Sequence, residues 1–324
     1  MITEDFVNKI FEQNRRAVSR AISIVESGNA DATLLLKEIH KHTGNAYRIG
    51  ITGPPGAGKS TITNQLTKYY RKQNKTVGII AVDPTSPFTG GALLGDRVRM
   101  SEIGTDPGVF IRSMASRGSL GGLSKKTIDA ADVLDASGYD YVIFETVGVG
   151  QSELDVANTA DTTIVVLVPE SGDSIQAMKA GLMEIADFFI LNKSDRPGSE
   201  TAMVALHTIL MLREHTINDW LPNILRAVAS ENTGIEEIAI EIEKHKSYLE
   251  DNNVLSHKRG EHFKIRIREI VETIIREQLW NQERADSLNQ ALKQVIEGDK
   301  SPYQVAEILV SDFRHSLKEN NSSS

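Results

Sequence analysis

The chain has 324 residues, no cysteine, a hydrophobic content of 40% and a formal net charge of −8 at pH 7. The absence of cysteine excludes disulfides, thiolate metal sites and a cysteine nucleophile, and it is typical of a reducing compartment. The acidic balance argues against nucleic acid as a partner, because the basic stretch "HKRG" at 257–260 is too short to form a binding face.

Residues 1–45 are predicted to form a helical extension. Two helices are expected over 3–43, with a stop signal at Gly28-Asn29, because apolar residues recur at helical spacing at Phe6, Ile10, Val18, Ile22 and Val25. The opening segment lacks the apolar stretch of a signal peptide and carries acidic residues that transit peptides avoid. No apolar run reaches the roughly 20 residues needed to span a bilayer. We therefore expect a cytoplasmic protein without membrane contact.

Between residues 46 and 250, short apolar runs alternate with helical stretches. The runs that are typical of strands are 47–52, 76–83, 109–114, 139–146, 162–169, 187–195 and 223–229. Near-continuous apolar strands are expected where helices cover both faces of a mainly parallel sheet. This region is predicted to be one α/β domain.

The remainder of the chain is predicted to be a helical arm over 251–318. A polar hinge is expected over 251–257, and an apolar stripe from Phe263 to Leu279 indicates a long helix. Two more helices are predicted near 283–297 and 302–317. The polar residues 319–324 are predicted to be a disordered tail.

The stretch "GPPGAGKS" at 53–60 matches a phosphate-binding loop between a predicted strand and a predicted helix. Glycines allow backbone N–H groups to turn around a phosphate, and the helix that follows favours an anion at its start. Lys59 is expected to reach the β- and γ-phosphates, and Ser60 to bind Mg²⁺. The predicted phosphate-binding residues are Gly53, Pro55, Gly56, Ala57, Gly58, Lys59, Ser60 and Thr61.

The stretch "NKSD" at 192–195 ends a predicted strand and is expected to bind guanine. The Asp195 carboxylate can accept from guanine N1–H and its 2-amino group. Adenine has neither donor, so the carboxylate would stay unpaired at a cost in free energy. Asn192 is expected to brace the pocket and Lys193 to lie along the base. The segment follows a strand at its carboxyl end, where α/β proteins bind ligands. Together with the phosphate loop, it predicts GTP and GDP as the ligands.

Three carboxylates are candidates for a magnesium site. Asp83 ends one predicted strand, Asp96 lies in the long glycine-rich loop at 85–100, and Glu145 lies at the end of another strand. Mg²⁺ prefers few carboxylates together with phosphates and waters. The predicted Mg²⁺ site is therefore Ser60, Asp83, Asp96 and Glu145, directly or through water, and the predicted catalytic residues are Lys59, Asp83 and Glu145.

The stretch "ETVGVGQSE" at 145–153 is similar to a nucleotide-sensing switch of GTPases. Gly148 is expected to offer its N–H to the γ-phosphate. The glutamine that orients water in Ras-like proteins is replaced by Val149, which predicts slow intrinsic hydrolysis with help from a partner or from Asp83 or Glu145. Gln151 is a weaker candidate for this role.

Four stretches together resemble the methylmalonyl-CoA mutase-associated GTPase family, the MeaB/ArgK group. They are "DPTSPFTGGALLGDRVRM", "IRSMASRGSLGGLS", "ETVGVGQSE" and "PESGDSIQAMKAG". The resemblance covers nearly the whole chain. It implies a P-loop GTPase that is activated by dimerisation, is related to metallochaperone GTPases and forms a homodimer through its C-terminal helices.

The resemblance also implies a client and a task. Members act as chaperones of adenosylcobalamin-dependent acyl-CoA mutases, of which methylmalonyl-CoA mutase is the favoured client here. They gate cofactor loading by a cobalamin adenosyltransferase and protect the mutase, which in turn stimulates GTP hydrolysis. No cobalamin is expected to bind this chain directly.

The resemblance further assigns roles to individual residues. It implies Mg²⁺-site roles for Asp83, Asp96 and Glu145, and it makes 169–180 a further switch. The Ser-Ala pair that contacts the base in the family corresponds to Val228-Ala229 here, so backbone N–H groups are expected to serve, with Ser230 next to them. Ser119 stands where a histidine is frequent. The predicted switch and partner-relay residues are Gln151, Asp173 and Lys179.

Three other functions stay open on the sequence alone. A metallochaperone-type GTPase for another metallo-cofactor enzyme has the same fold class, although a nickel chaperone would be expected to carry a histidine-rich tail or a cysteine site. A transport-system kinase, an older label for the group, would need a site for a protein hydroxyl. A GTP-binding scaffold without turnover is compatible with Val149, and single-turnover hydrolysis would separate it from a GTPase.

Overall fold

A parallel seven-stranded sheet forms the centre of the computed structural model, in the order β3-β2-β4-β1-β5-β6-β7. The structure describes residues 2–83, 101–115, 124–146, 156, 159–171, 180–211 and 220–322. The strands are β1 Tyr47–Thr52, β2 Val77–Asp83, β3 Val109–Ala115, β4 Tyr141–Thr146, β5 Thr162–Leu167, β6 Phe188–Asn192 and β7 Ile224–Ala227. Each of the seven predicted strands is present, and the predicted α/β fold is confirmed.

Helices cover both faces of this sheet. The helices of the described residues are α1 Glu4–Phe11, α2 Arg15–Ser27, α3 Ala30–Ile39, α4 Lys59–Lys72, α5 Ser101–Gly104, α6 Ser124–Ala136, α7 Ala180–Ile185, α8 Ser199–Met211, α9 Ile235–Asp251, α10 Val254–Leu279, α11 Gln282–Ile296 and α12 Pro302–Ser322. Short 3-10 helices occupy His40–His42, Pro169–Ser171 and Ala229–Glu231. Alternate strand residues point to opposite faces, so Phe144 packs with α2, α3 and α6, whereas Ile143 packs with α4 and α9.

The amino-terminal extension contains three α-helices, and the prediction of two over 3–43 is wrong. The helical conformation is interrupted after α1 at Gln13, whose φ is +56°. Asn14 then starts α2, because its side chain accepts hydrogen bonds from the N–H groups of Arg16 and Ala17, each at 3.1 Å. The helical spacing of the apolar residues continues across this break, so periodicity does not reveal it.

The predicted hinge over 251–257 is shorter in the structure. Only Asn252 and Asn253 separate α9 from α10, and Asn253 has a φ of +57°. The last helix, α12, continues to Ser322, beyond the predicted end of this helix near residue 317. No glycine or proline interrupts that stretch, which allows the helix to continue.

The chain divides into two compact units, residues 1–262 and 263–324. The start of α10 belongs to the first unit, where Leu255 packs against the buried core. Within the second unit, the guanidinium of Arg284 donates to the carbonyl oxygens of Gln278 and Leu279 at 3.1 and 3.2 Å and lies over the ring of Phe313. Arg284 therefore caps the end of α10. Among the described residues, no helix is both long and apolar enough to cross a bilayer.

A buried histidine lies where β5 and β6 begin. His245 Nδ1 is 2.8 Å from Thr162 Oγ1, and Nε2 is 3.5 Å from the Asp187 carboxylate. The ring also packs 4.8 Å from that of Trp220. Burial lowers the pKa of His245 more strongly than the carboxylates of Asp187, Asp161 and Glu241 raise it, and the nearby Lys258 lowers it further.

The free energy of unfolding is therefore expected to fall as the pH drops below about 6.5. The folded state keeps His245 neutral, whereas the unfolded state binds a proton below its ordinary pKa of about 6.5. His245→Gln should flatten this dependence in urea titrations between about pH 7.5 and 5.5, whatever its effect at neutral pH. His257→Gln, at an exposed position, should retain it. An unchanged pH dependence in His245→Gln would contradict the assignment.

Candidate nucleotide-binding site

The phosphate loop connects β1 to α4 and needs glycine at defined positions. Gly53, Gly56 and Gly58 have φ values of +134°, +76° and +92°, which favour glycine. A Cβ on Gly53 would lie 2.1 Å from the Val166 carbonyl oxygen, and one on Gly58 would lie 2.2 Å from Asn192 Nδ2. The loop is therefore in close contact with β5 on one side and with the end of β6 on the other.

Lys59 is the first residue of α4, and its side chain lies within the loop. The residue is only 6% exposed. Its ammonium donates to the carbonyl oxygens of Gly53 at 2.7 Å and Pro54 at 2.9 Å. A cation held here, beside the positive end of a long helix, is an arrangement that favours the binding of an anion. Of the other predicted loop residues, Pro55, Gly56 and Thr61 are exposed and Ala57 is buried.

Ser60 and Glu145 are in direct contact, which brings together two members of the predicted metal site. The Ser60 hydroxyl donates to Glu145 Oε1. Glu145 is buried near the end of β4, and its register partners are Ile51 in β1 and Ala81 in β2. The described residues contain no group of three or more histidines, cysteines, aspartates or glutamates placed to hold a metal.

Asn192, at the end of β6, joins the predicted guanine-binding segment to the phosphate loop. Its Nδ2 donates to the Ala57 carbonyl oxygen at 2.8 Å, and its Oδ1 accepts from the Ala229 N–H at 3.1 Å. Lys193 has a φ of +57°, and its ammonium donates to the Gly56 carbonyl oxygen at 2.9 Å. Asp195 follows in an exposed turn. These contacts place the two predicted nucleotide-binding motifs side by side.

The turn after β7 lies on the other side of Asn192. Val228 and Thr233 form an antiparallel bridge, with N–H to carbonyl hydrogen bonds of 3.1 and 3.2 Å. This bridge encloses the 3-10 turn in which Ala229 donates to Asn192, and Ser230 is exposed next to it. The sequence predicts base contacts for this turn. It does not predict the Asn192 hydrogen bond, because a backbone donor has no residue signature.

Several predicted residues cannot be placed in this geometry. Asp83 ends β2, but only its backbone is described. The predicted metal ligand Asp96 and the γ-phosphate contact Gly148 lie outside the described residues, as do the switch and relay candidates Gln151, Asp173 and Lys179. Their roles stay predictions.

Gly58→Ala is expected to weaken GTP binding and to destabilise the fold by about 1–3 kcal/mol, the usual cost of an unfavourable backbone conformation. The methyl group would also displace the Asn192 amide, which holds Ala57 and Ala229. Nucleotide titration and urea unfolding measure the two effects. Gly28→Ala is the matched control, since its φ is +65° but nothing lies within 4 Å of the added Cβ. Equal GTP affinities in the two variants would contradict this account.

The site combines a glycine-rich loop, a lysine at the start of the following helix and an Asn-Lys-x-Asp segment that is hydrogen-bonded to the loop. In a parallel sheet, these features together define a P-loop GTPase. The model of the family "Methylmalonyl Co-A mutase-associated GTPase MeaB" matches residues 18–284. The chain therefore belongs to the MeaB family, as its motifs predict. It is a GTPase, and GTP and GDP are its nucleotide ligands.

Individual relatives agree with this membership. A Pyrococcus abyssi protein named as a GTPase is 45% identical over 312 residues, which cover 96% of each chain. The mitochondrial methylmalonic aciduria type A homolog of Mus musculus is 30% identical over 332 residues, covering 95% of this chain and 80% of that protein. A crystal structure of an LAO/AO transport system kinase superposes with a TM-score of 0.71 at 28% identity, covering 97% and 99% of the two chains.

Proposed function

We propose that this GTPase is a chaperone of an adenosylcobalamin-dependent acyl-CoA mutase, with methylmalonyl-CoA mutase as the favoured client. The observation that carries the proposal is the match to a family named for its association with that mutase, over residues 18–284. The name of the mouse relative, which refers to methylmalonic aciduria, supports the same client. In this role GTP hydrolysis gates cofactor loading by an adenosyltransferase and protects the mutase from inactivation.

Nucleotide binding uses the loop and the guanine-binding segment. The triphosphate lies against the loop N–H groups and attracts the Lys59 ammonium, which otherwise donates to Gly53 and Pro54. The base lies beside Lys193 and is selected by Asp195. Asn192 fixes both sides of this pocket through its hydrogen bonds to Ala57 and Ala229.

The donor set beside the phosphate loop fits Mg²⁺. A serine hydroxyl and a buried carboxylate are already in contact, and both offer the hard oxygen ligands that Mg²⁺ prefers. Ser60 would hold the ion, with Glu145, Asp83 and Asp96 bound directly or through water. Mg²⁺, when bound, offsets the negative charge of the phosphate oxygens. Ser60→Ala is therefore expected to raise the Mg²⁺ concentration needed for half-maximal GTP hydrolysis.

The C-terminal helices support the proposal of a homodimer. No residue of α10, which the structure describes in full, is buried. Its exposed apolar side chains recur at helical spacing and include Phe263, Ile267, Val271, Ile274 and Ile275. An apolar stripe of this kind is typical of a helix that packs against another surface. A second copy of the chain would cover it.

The combined substitution Val271→Glu and Ile275→Glu is expected to convert the dimer into a monomer. Two carboxylates within an apolar interface lose hydration without gaining partners. Light scattering during size-exclusion chromatography measures the mass directly. Arg276→Glu, at an exposed position on the opposite face of the same helix, is the control that should leave the mass unchanged. A monomeric wild-type protein at micromolar concentration would overturn the dimer.

The chaperone role predicts that mutase activity persists longer in the presence of this protein and GTP. The measurement is the residual activity of purified methylmalonyl-CoA mutase over time, with wild-type protein, with Lys59→Ala or with neither. Protection by the wild type alone would support the proposal. Equal decay in all three samples would favour a metallochaperone-type GTPase or a GTP-binding scaffold for another metallo-cofactor enzyme.

A further inference from the structure

A cluster of three charged residues joins the start of α10 to the central sheet. Asp161, which precedes β5, is 1% exposed. The Arg259 guanidinium donates to both of its carboxylate oxygens at 2.9 and 2.7 Å, and the Lys258 ammonium donates to its backbone carbonyl at 2.8 Å. We refer to Asp161, Lys258 and Arg259 as the Asp161 cluster. Two consecutive residues of α10 thus hold the residue that leads into β5.

The same guanidinium also holds the segment before β1. It donates to the carbonyl oxygens of Gly44 at 2.6 Å and Ala46 at 2.9 Å. Asp161 reinforces this link, because its carboxylate also accepts from the Arg48 N–H at 2.9 Å. Bidentate arginine–carboxylate pairs fix geometry as well as charge. Arg259 therefore spans the starts of two adjacent central strands.

The other ends of these two strands meet at the phosphate loop. β1 and β5 are paired from Ile49–Thr162 to Thr52–Val165. Just beyond, Gly53 approaches the Val166 carbonyl so closely that a Cβ would not fit. The Gly53 carbonyl accepts from Lys59, the residue expected to turn toward a bound phosphate. A change in that hydrogen bond acts on β1 and β5 together, because close-packed elements transmit small displacements.

We propose that the Asp161 cluster couples the nucleotide at the phosphate loop to α10, so that the GTP-bound and GDP-bound forms differ in the local stability of this helix. The route runs from Lys59 through Gly53 and Val166, along β5, to Asp161 and Arg259. Energetic coupling requires that the bound nucleotide change both ends of this route, the Lys59–Gly53 hydrogen bond and the Asp161–Arg259 ion pair. The proposal depends on GTP binding at the loop and is independent of any client.

Hydrogen exchange of the α10 amides beyond residue 259 tests this coupling. The exchange rates are compared with GDP and with a non-hydrolysable GTP analogue bound. The wild-type protein is expected to show a difference of roughly fivefold or more, the lower range of measured couplings. Arg259→Lys keeps the charge but cannot donate to Asp161, Gly44 and Ala46 together, so it should abolish the difference. Arg268→Lys makes the same change at an exposed position of α10 and should preserve it.

Nucleotide affinity gives a second readout of the same coupling. By linkage, the ratio of the dissociation constants for GDP and the GTP analogue should shift in Arg259→Lys by the factor that separates the exchange rates. Thermal unfolding shows whether Arg259→Lys is folded. If this variant does not fold, Lys258→Met takes its place in both measurements. Equal exchange in the two wild-type forms, or a nucleotide-dependent difference that persists in a folded cluster variant, would overturn the proposal. If the wild-type protein did not bind GTP, the result would instead refute the nucleotide site.

Discussion

Replacing Lys59 with alanine is expected to lower the affinity for GTP by about a hundredfold or more while the chain remains folded. Its ammonium lies within the loop, 2.7 Å from the Gly53 carbonyl oxygen. Hydrogen bonds to charged groups contribute about 1.5–3 kcal/mol each, so two contacts to phosphate correspond to at least that factor. Single-turnover GTP hydrolysis should fall with the affinity, because positioning and charge stabilisation provide most of the catalysis of phosphoryl transfer.

Lys72→Ala provides the matched control for this variant. Lys72 is the last residue of α4 and is exposed. Its removal also deletes one positive charge from the helix, but at the end remote from the loop. Calorimetric titration with a GTP analogue compares the two variants, and far-ultraviolet circular dichroism monitors the fold. Tight triphosphate binding by a folded Lys59→Ala protein would contradict the phosphate-loop assignment.

Asp195→Asn is expected to change the preferred base from guanine to xanthine. In the proposed site the carboxylate would accept two hydrogen bonds, from guanine N1–H and the 2-amino group, whereas an asparagine amide can donate to the 2-oxo group of xanthine. Loss of two charge-assisted hydrogen bonds lowers GTP affinity by about a hundredfold or more. Asp195 lies in an exposed turn, so the substitution should leave the free energy of unfolding nearly unchanged.

Competition between GTP and xanthosine triphosphate measures this change directly. The control is Asp251→Asn, the same substitution at an exposed residue that ends α9. Its nucleotide preference should equal that of the wild type. Unchanged GTP affinity in Asp195→Asn would show that another residue selects the base.

The sheet and the nucleotide motifs could be predicted because their signals are local. A buried parallel strand is a continuous apolar run, and the seven such runs match the seven strands. The phosphate loop depends on backbone conformations that glycine favours, and Gly53 and Gly58 have them. The proximity of the loop to Asn192 follows from the parallel sheet, because the strands place both at the same edge.

Features that depend on distant contacts or on backbone donors could not be predicted in this way. In the sequence, "HKRG" at 257–260 is only a short basic block, yet Lys258 and Arg259 within it hold the buried Asp161. Nothing near these two residues in the sequence indicates that partner. The break at Gln13 could not be predicted because the apolar spacing continues across it. The Ala229 N–H could not be singled out because every residue other than proline has such a donor.

GTP turnover by the purified protein, alone and with adenosylcobalamin-dependent methylmalonyl-CoA mutase from the same source, tests the central claim most directly. The proposed function predicts slow hydrolysis of GTP by the protein alone, strong stimulation by the mutase and no hydrolysis of ATP under either condition. Lys59→Ala should show no stimulation. GTP turnover that is the same with and without the mutase would leave the GTPase in place and contradict its assignment to this client.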